Sequence, residues 1–116
     1  MSSSCRMEGR ICIVYLDPMI YEEQVQEETQ AVLEGLAKDR SIDGIVVSFE
    51  KVEKLASGGL GLMVVTYKQL HDRKAKFGIC SLHPWHRHLF QMTKLDGFLT
   101  MYASEEAALA AMVSAK

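Results

Sequence analysis

The sequence has little net charge, no long apolar run and few cysteines, and each shortage excludes something. Its 13 Lys and Arg stand against 15 Asp and Glu, leaving a formal charge of -2. There is thus no basic footprint for nucleic acid, and none is expected as a partner. No apolar stretch approaches the roughly 20 residues that a membrane-spanning helix needs, so no membrane insertion is expected. The start, Met1-Ser-Ser-Ser-Cys-Arg-Met-Glu-Gly9, lacks the apolar core of a secretory signal, and a cytoplasmic location is expected. The three cysteines, Cys5, Cys12 and Cys80, are odd in number and show neither metal-ligand nor redox spacing, which fits a reducing compartment. What is present is the balance of an ordinary globular chain, 48% hydrophobic and 24% charged over 116 residues. That is enough for one core, so residues 1–116 are read as one domain.

Along the chain, strand-like and helix-like stretches alternate. Ser3 to Met7 and Arg10 to Leu16 are short strand candidates flanking a turn at Glu8-Gly9. Asp17-Pro18 breaks the run, and from about Tyr21 the residues Val25, Thr29, Val32, Leu33 and Leu36 recur on one helical face. Glu22, Glu23, Glu27, Glu28 and Glu34 fall largely elsewhere on that helix and read as a solvated outer face. Gly44-Ile-Val-Val-Ser-Phe49 has the β-branched content of a buried strand. Leu60, Met63, Val64, Tyr67 and Leu70 then predict a helix ending near Arg73 or Lys74. Phe77 to Leu82 is the next strand, and His83-Pro84 opens a helix with Trp85, His88, Leu89 and Met92 on one face, where the indole is expected in packing. Phe98 to Tyr102 is a last strand, and Ser104 caps a terminal alanine-rich helix. This alternation predicts an α/β layer structure, a mixed sheet of about five strands with four helices. Val46, Phe49, Leu60, Val64 and Ile79 are expected inside.

Chemistry concentrates in Leu55-Ala-Ser-Gly-Gly-Leu-Gly-Leu62, where a hydroxyl, three glycines and a helix start coincide. Ser57 is placed at or next to the helix N-cap, a position that suits a serine because its oxygen can serve an unpaired first-turn amide. The same position suits an added phosphate, because the helix start offers free N–H donors and the positive end of the macrodipole. Gly58, Gly59 and Gly61 carry no side chain to obstruct an approaching surface.

Other constellations carry less. The glycines match neither a Walker A loop, since no Lys-Ser or Lys-Thr follows, nor G-x-G-x-x-G, so no nucleotide cofactor is expected. Two of His83, His86 and His88 lie at i, i+3, but no cysteine or acid stands near them in sequence, and no metal is expected. Ser57 lacks the G-x-S-x-G elbow of a hydrolase, and no base, nucleophile and oxyanion set can be assembled, so the chain is not read as an enzyme.

Over nearly the whole chain, and most specifically from Ile45 to Leu70, the sequence resembles the anti-sigma factor antagonists, single-domain members of the STAS group. Ile45-Val-Val-Ser-Phe-Glu-Lys-Val52, Ala56-Ser-Gly-Gly-Leu-Gly61 and Tyr67-Lys-Gln-Leu70 follow the family's strand, phosphorylation loop and helix in order. Phe77-Gly-Ile-Cys80, Leu89-Phe-Gln-Met92 and Leu95-Asp-Gly-Phe98 continue the match. The resemblance implies a small sheet with helices packed mainly on one side. It also implies a bacterial regulatory module that binds an anti-sigma factor serine kinase, is inactivated by phosphorylation of the loop serine, and is restored by a serine phosphatase. Ser57 aligns with the phosphorylated residue, and Ala56, Ser57, Gly58, Gly59 and Leu60 with the partner-binding loop. Two positions depart from the usual Asp-Ser-Ser-Gly or Asp-Ser-Thr-Gly: Ala56 replaces the aspartate and Gly58 the second hydroxyl residue. The group also contains non-phosphorylated members, scaffold or accessory subunits of signalling complexes or transporters, which give the alternative reading.

Overall fold

The computed structural model describes residues 4–114. Its elements run β1 (Ser4–Glu8), β2 (Ile11–Tyr15), α1 (Glu23–Lys38), β3 (Gly44–Ser48), α2 (Ser57–Asp72), β4 (Lys76–Cys80), α3 (Pro84–Met92), β5 (Met101–Tyr102) and α4 (Glu105–Ser114). The five strands form one sheet in sequence order, with β1 antiparallel to β2 and the other pairs parallel. Parallel neighbours demand long crossovers, and the helices supply them. β3 is buried along its whole length, as a central strand covered on both faces must be.

Alternation along the strands divides the core in two. Val14, Ile45, Val47 and Ile79 face one way and pack with Leu33 of α1, Leu62, Met63 and Leu70 of α2, and Phe90 of α3. Ile11, Ile13, Val46 and Cys80 face the other way and pack with Ala108 and Met112 of α4. Three helices therefore share one face and α4 alone covers the other, which is the architecture expected from the sequence.

Boundaries and faces differ in places. The hairpin turn is Gly9–Arg10, with Glu8 still paired to Ile11, and Gly9 has φ +62°, the left-handed region that favours glycine. Ser3, read as the first strand residue, lies outside the described residues. Val46, Phe49 and Ile79 are fully buried as expected, whereas Leu60 and Val64 are only half-buried. The inner face of α2 is instead Gly59, Leu62, Met63, Thr66 and Leu70. Thr66 is tolerated there because its hydroxyl donates to the Leu62 carbonyl at 2.8 Å. On α3 the expected stripe is reversed: Trp85 and Met92 are exposed, and His86 and Phe90 point inward. His86 Nε2 donates to the Glu53 carbonyl at 3.1 Å, and Phe90 meets Phe49 edge to face at 5.9 Å. The last strand keeps only Met101 and Tyr102, because the N–H groups of Phe98 and Leu99 turn back to the Leu95 carbonyl at 3.2 and 2.9 Å, extending the single 3-10 turn of Leu95–Gly97.

The rim of the sheet at the start of β3 and β4 is tied by cations. Arg10 grips Asp43 through two hydrogen bonds of 2.7 and 3.0 Å. Arg73, just beyond α2, donates to the carbonyls of Ala37 at 2.5 Å, Asp39 at 3.1 Å and Ile42 at 2.8 Å. Lys76 donates to the Met112 carbonyl at 2.7 Å, joining β4 to the last turns of α4.

Candidate functional site

The candidate loop leaves the opposite rim, at the C-terminal ends of the parallel strands, where open α/β sheets place their sites. Phe49 anchors its start: its N–H donates to the Cys80 carbonyl at 3.0 Å while its ring is buried against Phe90. Val52 is buried, and its N–H returns to the Phe49 carbonyl at 3.0 Å, so the chain turns back before rising to α2. His86 holds the middle of the loop through Glu53, and the Lys54 ammonium lies 5.2 Å from the centre of the Tyr21 ring. Leu55 is half-buried against the core. The loop is therefore supported from beneath at several points.

Ala56 is the N-cap of α2, with extended dihedrals of φ -108° and ψ 170°, and Ser57 is the first helical residue. The Ala56 carbonyl accepts from the N–H groups of Gly59 at 3.0 Å and Leu60 at 3.3 Å, closing the first turn. Ala56 has no side-chain oxygen, so no side-chain cap serves the helix start. The Ser57 and Gly58 amides come before the first closed turn and have no intrahelical acceptor. Ser57 is exposed, and its hydroxyl has no hydrogen-bond partner among the described residues. A free hydroxyl thus stands beside uncommitted N–H donors at the positive end of a 16-residue helix.

The three glycines have different reasons. A methyl group at Gly59 would lie 2.8 Å from Leu55 Cδ1, and Gly59 itself is buried; its absent side chain lets α2 settle onto the loop. A methyl group at Gly58 would lie 2.2 Å from Gln26 Oε1 and 2.7 Å from both Gln26 Cδ and Nε2. A methyl group at Gly61 would meet nothing within 4 Å. The expectation that all three glycines bare the surface is corrected accordingly: Gly58 is exposed but flanked by Gln26 of α1, and Gly59 faces inward. Of the five residues assigned to the loop surface, Ala56, Ser57 and Gly58 are exposed, Leu60 is half-buried and Gly59 is buried.

Beyond the loop, a cleft of about 360 Å³ continues between α1 and α2, with Glu23, Gln26, Glu27 and Gln30 on one wall and Gly58, Gly61, Leu62 and Val65 on the other. Sequence reasoning missed this wall, because hydrophobic spacing marks which face of α1 is buried but not which neighbour its edge meets. The histidines do not converge into a ligand set. His86 is buried and bonded to a carbonyl, and no group of three potential metal-ligating side chains occurs among the described residues. Burial also pushes the Cys12 thiol up to about 11, with a contribution from neighbouring Cys5, and raises that of Cys80.

This fold recurs in known structures. The fold matches an anti-sigma-factor antagonist (STAS) domain protein from Planctomyces limnophilus, with 20% identity over 98% of this chain and 100% of that one and a TM-score of 0.87. It matches the Bacillus cell fate determinant SpoIIAA in the phosphorylated form, with 18% identity over 94% and 97% of the two chains and a TM-score of 0.72. It also matches a chain of the stressosome, a signal integration and transduction hub, at 11% identity over 95% and 96% and a TM-score of 0.78. At such identities the likeness establishes the fold, and the sequence supplies the family: the STAS domain model matches residues 4–108, and the chain belongs to the STAS domain family.

Proposed function

We propose that the chain is a regulatory protein-binding module that meets an anti-sigma factor serine kinase through Ala56, Ser57, Gly58 and Leu60, with Gly59 supporting them, and is switched off by a phosphate on Ser57. The observation that carries this reading is the exposed, unbonded Ser57 hydroxyl at the first turn of α2. Phosphorylation would add about -1.5 to -2 charge and three acceptor oxygens, with the first-turn amides and the helix dipole ready to receive them. The backbone need not move. The same charge would then stand in the middle of a contact surface that is otherwise uncharged from Ala56 to Leu62, and a partner without a matching cation would be repelled. A serine phosphatase would restore binding. SpoIIAA, a neighbour in fold, has a phosphorylated form, which supports a phosphate switch here.

A second reading has its own observation. Ala56 leaves the helix start without the carboxylate usual in the phosphorylated members, and the fold also matches a stressosome chain. In that reading the domain is a non-phosphorylated scaffold or accessory subunit with a constant partner. Incubation of the purified chain with ATP and each serine-kinase anti-sigma factor of its source, read by intact mass, separates the two. Addition of one phosphoryl group that Ser57→Ala abolishes supports the switch, and stable binding without mass change in every pairing supports the scaffold.

A further inference from the structure

Gly58 is a helical residue whose backbone does not call for glycine, since Gly9 alone among the described glycines has positive φ. The Gln26 carboxamide fills the volume that a side chain at 58 would take, with Oε1, Cδ and Nε2 all within 2.7 Å of where a methyl carbon would stand. Gln26 is half-buried, and its carboxamide has no hydrogen-bond partner among the described residues. One acceptor and two donors therefore stand uncommitted beside Ser57, at the mouth of the α1–α2 cleft.

We propose that Gln26 is a specificity-determining residue of the partner-binding surface, reaching from α1 to supply at position 58 the polar group that Gly58 lacks. This rests on the reading of the Ser57 loop as the contact surface. The chemistry that fits is a partner group able to donate and accept at once without charge, a main-chain peptide or an amide side chain, set against a carboxamide rather than a hydroxyl. Gln26 and Gly58 then work as a pair: a hydroxyl residue at 58 and the glutamine in its present place exclude one another.

The test measures the affinity of a purified serine-kinase anti-sigma factor that binds the wild-type chain for Gln26→Ala, Gln26→Glu, Gly58→Ser, the double variant Gln26→Ala/Gly58→Ser, and Ser57→Asp, with melting temperatures in parallel. Gln26→Ala and Gln26→Glu are expected to weaken binding by about 10-fold with little change in melting temperature. Gly58→Ser is expected to weaken it similarly while the fold holds, because the displaced group is the flexible end of a side chain. The double variant should bind more tightly than the product of the two single losses predicts, the mark of a coupled pair. If both Gln26 variants bind within about 2-fold of wild type, a difference of under ~0.5 kcal/mol, while Ser57→Asp loses affinity, Gln26 is only packing and the loop reading survives. If Ser57→Asp also binds like wild type, or if no such kinase binds the wild-type chain, the loop reading fails and this proposal fails with it.

Discussion

The two rims of the sheet are built on opposite plans. At the rim where β3 and β4 begin, cationic side chains are committed to acceptors: Arg10 to Asp43, Arg73 to three carbonyls and Lys76 to the Met112 carbonyl. At the other rim, the start of α2 has donors without acceptors, a hydroxyl without a partner, and an N-cap residue that cannot cap. One rim commits these cations to acceptors within the chain, and the other leaves a hydroxyl and first-turn amides without internal partners. Under the proposed function, the first rim serves stability and the second serves recognition.

Four changes would break or sharpen that contrast. The largest effect should come from Phe49→Ala, which removes the buried ring under the loop and its edge-to-face contact with Phe90. A cost of about 3–5 kcal/mol is expected by chemical denaturation, and a loss under ~1 kcal/mol would mean that the loop does not depend on this anchor. Arg73→Ala leaves three carbonyls without their donor and should cost about 2 kcal/mol, because hydrogen bonds to a charged group are the stronger kind. Its partner affinity should stay at the wild-type value; a matching loss of binding would show that the rims are not independent. Ala56→Asp gives α2 the cap it lacks and should stabilise the chain by about 1 kcal/mol. A fall in melting temperature for that variant would contradict the helix start described here.

The smallest effect is a pH dependence. The Arg10 hydrogen bond holds the Asp43 carboxyl below the ordinary aspartate value, and hydrogen bonds from Ser41 do the same for Asp39. A carboxyl lowered in the folded state contributes stability above its unfolded value, and that contribution fades as pH falls through the lowered folded value. Both groups are exposed, so the contribution is small and screened by salt. Acid unfolding of Arg10→Ala should be slightly shallower than wild type in that window, and an unchanged acid limb would show that the pair adds nothing.

Legibility in the sequence followed the range of the interaction. The central strand was plain because Ile45, Val46 and Val47 are β-branched throughout, and the start of α2 was plain because the glycines and Ser57 are local signals. Local spacing was less able to choose between adjacent helix faces. On α2, Met63 and Leu70 lie on the expected face, but the spacing points to Val64 as an inner residue where Leu62 is the buried one, and Gly59, close against Leu55, lies on that inner face. On α3, Trp85 was the largest apolar side chain and so the natural inner residue, yet it is exposed because His86 has a carbonyl to meet inside and Phe90 a ring. The seat of Gln26 on Gly58 depends on the packing of α1 against α2, and neither residue announces it alone. Ser57 itself was legible as a position, while its lack of any internal bond became visible only in three dimensions.

The most direct measurement compares the affinity of the proposed kinase partner for wild type, Ser57→Ala and Ser57→Asp, with unfolding curves for all three. Ser57→Asp should fold as stably as wild type, since a carboxylate is welcome in the first turn of a helix. It should bind at least ~10-fold more weakly, about 1.4 kcal/mol, and Ser57→Ala should bind almost as well as wild type. Equal affinity of Ser57→Asp and wild type for that partner would contradict the account and leave Ser57 as nothing more than the first residue of α2.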